Sequence, residues 1–212
     1  MPDFEFENQH NVPVAGIDEA GRGPWAGPVV AGAVVIIDKN LGDFLLSGLN
    51  DSKKLTPKKR EALYEALFAA EQEGKLSIGI GQASAAEIDE KNILQATFLA
   101  MNRAVAALKL RPGFALVDGN QVPKGLCCPC QTVVKGDARC YSIAAASIAA
   151  KVYRDRLMAE LAKQYPYYGF EKNAGYGTAV HIAGLKEYGI IEGQHRKSYR
   201  PIQEILLARG QA

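Results

Sequence analysis

Apolar positions in this chain fall into two rhythms, one of period two and one of period near 3.6. Val14 to Asp18 and Pro28 to Ile37 are β-branched and apolar and predict two strands joined by a link rich in Gly and Pro. Thr56-Pro57 supplies an N-cap and first-turn pair, and Leu63, Ala66, Leu67 and Ala70 then recur at helical spacing. Leu76, Ile78 and Ile80 alternate with Lys75, Ser77, Gly79 and Gly81, which predicts a third, half-buried strand. Ser84 and Glu87 have capping-box spacing, and the helical pattern they open runs to about Leu110 before Pro112-Gly113 stops it. Phe114 to Val117 and Thr132 to Val134 predict two more short strands. From about Ala138 the segment YSIAAASIAAKVYRDRLMAELAKQY reads as a long helix, whose first half is Ala and Ser and can lie close against a sheet.

Strands mixed with helices of this length argue an α/β core, residues 1–164, of helices packed on one sheet. A smaller helical C-terminal part follows at residues 165–212. Composition agrees with a folded protein: of 212 residues, 48% are hydrophobic and 23% charged, enough for one large core. No apolar run approaches the about 20 residues that span a bilayer, and the opening MPDFEFENQH is acidic where a signal peptide would be basic, so a cytoplasmic location is expected. The net charge of +2 is too small to announce a nucleic-acid binder, and any basic surface must come from local clusters such as DSKKLTPKKR. Cys127, Cys128, Cys130 and Cys140 give one CxxC with no second pair and no nearby His, so free thiols are preferred to a zinc site, with a reversible disulfide left open.

The chemistry gathers at predicted strand ends. Asp18 and Glu19 follow the first strand, Asp118 ends another in LVDGN, and Asp137 follows the last in KGDA. Carboxylates converging at one sheet edge repel unless hard cations sit among them, and oxygen ligands suit Mg²⁺ or Mn²⁺. Taken singly, each acid also suits a local role: a turn at Asp118-Gly119, an N-cap at Asp137, a solvated strand end at Asp18-Glu19. Neighbours in a strand point to opposite faces, so Asp18 and Glu19 reach one site only if the backbone leaves strand geometry there, which Ala20-Gly21 would permit. Gly21-Arg22-Gly23 can form a small anion-binding nest or an ordinary turn.

Taken together, GIDEAGRGPWAGPVVAGAVV, NDSKKL, LVDGN, KGDARCYSIAAASIAAKVYRDRLM, GYGTAVH and HRKSYRPI resemble, in order from about Gly16 to Ile202, the ribonuclease HII family. The resemblance implies a ribonuclease H-like fold, a mixed five-stranded sheet flanked by helices with a helical C-terminal extension. It implies an endonuclease that hydrolyses the RNA strand of RNA/DNA hybrids and incises ribonucleotide-containing duplex DNA by two-metal chemistry, as a monomer. By motif the catalytic, metal-binding acids fall on Asp18, Glu19, Asp118 and Asp137, and contacts to the ribose 2′-hydroxyl fall on Gly21, Arg22, Gly23 and Tyr176. The alternatives are a catalytically silent hybrid-binding module and another two-metal nuclease on the same core.

Lys53, Lys54, Lys151 and Arg154 are candidate phosphate contacts, which would bring affinity and salt dependence rather than ribonucleotide selectivity. Asp155 reads as helix surface, and Trp25 as a hydrophobic plug beneath the glycine loop. His10, His181 and His195 are expected to pack locally rather than to catalyse.

Overall fold

A computed structural model describes residues 2–49 and 55–210. Lys53 and Lys54 lie outside the described residues.

Five strands form one mixed sheet in the order β3-β2-β1-β4-β5, from β1 (Val14–Ala20), β2 (Val29–Ile36), β3 (Leu76–Ala83), β4 (Phe114–Asp118) and β5 (Cys130–Val133). The first three strands run antiparallel to their neighbours, whereas β4 pairs in parallel with β1 and β5 in parallel with β4. That direction matters for function. Parallel neighbours finish at the same sheet end, so Asp18, Asp118 and the turn after β5 must emerge side by side.

Small residues set how closely helices approach this sheet. Helix α5 (Tyr141–Gln164) lays its Ala/Ser half on β1 and β2. A Cβ on Gly16 would stand 2.2 Å from the Ser142 carbonyl carbon, and one on Gly32 would stand 2.4 Å from the Ala146 oxygen. No side chain fits there, and the helix backbone rests on bare strand. The opposite face is covered by α4 (Ile93–Ala106) in the same way: Cβ atoms on Gly79 and Gly81 would meet the Ala104 and Ala100 oxygens at 2.0 and 2.3 Å.

This second contact corrects the half-buried reading of β3. Its Gly and Ser positions do not face water; they admit a helix, and both faces are covered along most of the strand. The long helical pattern after Ser84 is also divided. The capping box forms and opens α3 (Ala85–Lys91), but Asn92 adopts a left-handed φ of 69° and caps α4 through hydrogen bonds from Leu94 and Gln95. After the short α1 (Asp43–Gly48), Thr56 and Pro57 start α2 (Pro57–Gln72) as their types predict. The residue capping α5 is Cys140, not Asp137, which sits in a preceding 3-10 turn, Gly136–Ala138.

Beyond Gln164 the chain forms a turn at Pro166–Tyr168, then α6 (Phe170–Asn173), α7 (Ala179–Tyr188) and α8 (Arg200–Ala208). These enclose their own apolar cluster around Phe170, Leu185 and Ile202, into which the core sends Ala26 and Met158. No described helix is long and apolar enough to cross a membrane.

Candidate active site

Residue parity on β1 and β4 decides where each acid points. Gly16 lies against α5, so Asp18, two residues on, shares that face, and Leu116 places Asp118 there likewise. The row below them pairs Ile17 with Val117, which makes Asp18 and Asp118 neighbours at the strand tips. Asp18 is 6% exposed; its Oδ1 accepts the Glu19 amide at 2.7 Å, and Ser147 of α5 hydrogen-bonds the same carboxylate. Asp118 Oδ1 accepts the Gly136 amide at 2.7 Å, tying β4 to the turn that carries Asp137.

Glu19 lies near the end of a regular ladder. The ladder runs on through Asp18↔Gly32, Glu19↔Ala31 and Ala20↔Val30, and the backbone turns only at Gly21, with φ of 93°. Glu19 nonetheless borders the same cleft as Ser147 and Lys151 of α5 and stands near enough to Asp18 to raise its pKa, while its Oε1 lies 3.3 Å from the Arg22 guanidinium. No three acids, histidines or cysteines among the described residues are gathered into a ready ion cage. The chemistry of the donors nonetheless fits a hard divalent cation. Burial, then Glu19, then Asp118 push the Asp18 carboxyl well above its ordinary range, so negative charge is crowded at this edge with little solvent to relieve it.

Beside the acids opens a cleft of about 720 Å³, bounded by Glu19, Gly21 to Gly23, Ser147, Lys151 and Tyr176. Gly23 meets the Tyr176 ring, since a Cβ there would stand 3.3 Å from Cε1, and the tyrosine is 51% exposed. The core loop and the extension thus form one wall. Trp25 holds them together: its ring fills the space where Gly177 lacks a side chain, and its amide donates to the Gly175 carbonyl at 2.8 Å.

Among the proposed basic contacts, Lys151 stays at the cleft, its Nζ 2.6 Å from Asp155 Oδ1. Asp155 is more than helix surface, because its other oxygen lies 3.8 Å from Arg60, a second cation of the same wall. Arg154 is a correction. It is 1% exposed, and its guanidinium donates to the carbonyls of Pro28, Ala174 and Ala26 at 2.9, 3.0 and 3.1 Å. Those bonds leave it a brace for the loop rather than a phosphate contact; burial pulls its pKa down to about 10.

Arg196 escaped sequence reasoning, whereas His181 and His195 pack locally as expected. Arg196, in HRKSY, is fully buried, and His181 and His195 share a hydrogen bond of 2.9 Å between their Nε2 atoms. A run of basic residues reads as surface, and only the carbonyls it meets far away in sequence mark Arg196 as internal. The four cysteines are free thiols, with burial pushing Cys128 up to about 11 and Cys140 up to about 12.

Known proteins resemble this chain in sequence and in fold. The family model described as ribonuclease HII matches residues 15–201. A ribonuclease HII of Jannaschia sp. (strain CCS1) is 53% identical over 205 residues, covering 97% of this chain and 98% of its own. Among solved structures, the ribonuclease H2 of Pyrococcus horikoshii OT3 superposes with a TM-score of 0.77 at 30% identity, covering 94% of this chain and 99% of its own. Bst-RNase HIII, solved in complex with Mn²⁺, shares the fold with a TM-score of 0.75 at 15% identity, over 97% of this chain and 73% of its own. The matched span takes in the sheet, its acidic edge and the loop beside it, and the chain belongs to the ribonuclease HII family of ribonuclease H endonucleases.

Proposed function

We propose that the enzyme hydrolyses the RNA strand of RNA/DNA hybrids and incises duplex DNA on the 5′ side of an embedded ribonucleotide, leaving 3′-hydroxyl and 5′-phosphate ends. The observation that supports this reading is the shared wall of Gly23 and Tyr176 beside the carboxylates, polar backbone and a phenol within reach of a sugar bound at the acidic edge. Only the 2′-hydroxyl distinguishes ribose from deoxyribose, and it can both donate and accept a hydrogen bond.

Each residue then has a task. Asp18, Glu19, Asp118 and Asp137 would hold Mg²⁺ or Mn²⁺, with Glu19 leaving Arg22 to do so. When bound, such cations polarise the scissile phosphate, activate water and stabilise the departing 3′-oxygen. Ser147 and the Glu19 amide fix the Asp18 carboxylate, and the Gly136 amide fixes that of Asp118. Lys151 and Arg60 favour the phosphate backbone at the cleft wall, adding salt-dependent affinity without sequence information. The Gly21 to Gly23 loop and Tyr176 read the sugar, the tyrosine by its hydroxyl and by stacking its ring. Lys53 and Lys54 retain their proposed phosphate role, on residues outside the described structure.

Tyr176→Ala tests the assignment because the side chain is half exposed and carries little of the core. Incision at a single embedded ribonucleotide is expected to fall by about two orders of magnitude while the melting temperature holds. Wild-type incision by a stably folded Tyr176→Ala enzyme would remove the tyrosine from the reading of the junction.

A further inference from the structure

A glycine loop reads a hydroxyl only if its peptide planes are fixed, and glycine itself fixes nothing. The segment from Gly21 to Pro28 is held by its carbonyls. Arg196 donates through Nη2 to the Gly21 oxygen at 2.6 Å, through Nη1 to the Arg22 oxygen at 2.8 Å, and through Nε to the Gly27 oxygen at 3.0 Å. Arg154 takes the carbonyls of Ala26 and Pro28, and the Arg196 amide takes that of Trp25. Tyr199 completes the set: its hydroxyl accepts from Arg196 at 2.9 Å and donates to the Arg22 oxygen at 2.5 Å.

The other side of the loop is left for a ligand. Gly21, Arg22 and Gly23 border the open cleft on that side. In a planar trans peptide the carbonyl and the following amide point opposite ways, so the inward Gly21 and Arg22 carbonyls turn the Arg22 and Gly23 amides toward the cleft, where an accepting oxygen would find them. The guanidinium fork is suited to this task, since a planar group with five fixed donors can orient several carbonyls at once. An ammonium in its place would hold fewer, at variable angles.

Both buried guanidiniums are satisfied by backbone carbonyls and a phenol, with no carboxylate hydrogen-bonded to either among the described residues. Burying a charge this way carries a desolvation cost, which apolar packing of the same loop would avoid. What the cost secures is a positive potential beneath the outward amides, favouring an oxygen that accepts from them.

We propose that Arg196, assisted by Tyr199, is the positioning residue of the 2′-hydroxyl reader: the C-terminal extension sets the peptide orientation of the core's Gly21–Gly23 loop and thereby the enzyme's selectivity for ribonucleotides. This rests on the reading of that loop given under the proposed function. Arg196 touches no substrate. It acts through the loop, so its loss separates turnover at a ribonucleotide from affinity for duplex.

The full-length enzyme, Arg196→Lys and Tyr199→Phe are compared on two duplexes differing by one 2′-hydroxyl. Incision rates are measured with Mg²⁺, and affinity for the all-DNA duplex with Ca²⁺. Arg196→Lys is expected to lower kcat at the ribonucleotide by about a hundredfold and Tyr199→Phe by about tenfold, with all-DNA affinity within about twofold of wild type. Should Arg196→Lys not fold, Tyr199→Phe alone decides. The proposal is overturned if folded variants incise at the wild-type rate, or if incision and all-DNA affinity fall together. A wild-type enzyme that cuts both duplexes alike overturns the loop reading itself, whereas a selective wild type with equally selective variants overturns only the role of Arg196.

Discussion

Acidification should destabilise this fold through one pair of rings. The Ile191 amide donates to His195 Nδ1 at 2.8 Å, so that nitrogen carries no proton and the neutral ring is protonated on Nε2. His195 Nε2–H then donates to His181 Nε2 at 2.9 Å, and His181 Nδ1–H to the Tyr176 carbonyl at 3.0 Å. The chain of donors has one direction, and charging either ring sets a hydrogen against a hydrogen. Tyr168 and Phe170 enclose the rings, Trp25 lies over His181, and the adjacent cation is Arg196. Burial, then His181, holds His195 at about 4 against its ordinary 6.5. Between those values the unfolded chain binds a proton that the native one refuses, so stability falls as pH falls. At about 1.4 kcal/mol per pH unit the loss from pH 6.5 to pH 4 is about 3 kcal/mol. Urea unfolding from pH 7.5 to pH 4, compared with His195→Gln, measures it. Both proteins share the other titrations, and the glutamine amide offers one acceptor and one donor without a charge. The wild type should lose about 3 kcal/mol more than the variant. Parallel curves would refute the single-direction pair.

Three further outcomes follow from the geometry. Asp118→Asn should abolish cleavage and leave hybrid binding within a few-fold, read by gel shift and single-turnover assay. Asp18→Asn should raise the melting temperature in chelator, because the buried Asp18 charge, crowded by Glu19 and Asp118, is removed; Mn²⁺ should stabilise the wild type and not the variant. Gly32→Ala should cost about 3 kcal/mol or more, because its Cβ would force α5 away from β2, and thermal denaturation reports it directly.

The strands, the long Ala/Ser helix and the position of Asp18, Asp118 and Asp137 at or just after strand ends were legible in the sequence because each rests on a local pattern. What stayed hidden depends on partners distant in the chain. Gly79 and Gly81 looked like the open side of a strand, since alternation cannot tell water from a close-packed helix. Asn92 divides a helical pattern through a left-handed φ that composition alone does not demand. Arg154 read as a phosphate contact and Arg196 drew no reading, because most of their acceptors are main-chain oxygens more than a hundred residues away. The parity of Asp18 and Glu19 was legible, and so was the place where β1 ends: the ladder stays regular through Ala20, and the backbone leaves strand geometry at Gly21, within the Ala20-Gly21 pair that would permit it.

The central claim is that one edge both cuts and checks for a hydroxyl. The most direct measurement incubates the purified enzyme with a labelled DNA duplex carrying one ribonucleotide, and with its all-DNA twin, in Mg²⁺, Mn²⁺ or EDTA, and maps the ends at nucleotide resolution. A single cut on the 5′ side of the ribonucleotide, leaving 3′-hydroxyl and 5′-phosphate, present with either cation and absent with EDTA or from the twin, is the predicted result. Cutting of the all-DNA duplex, or cutting that survives EDTA, would contradict it.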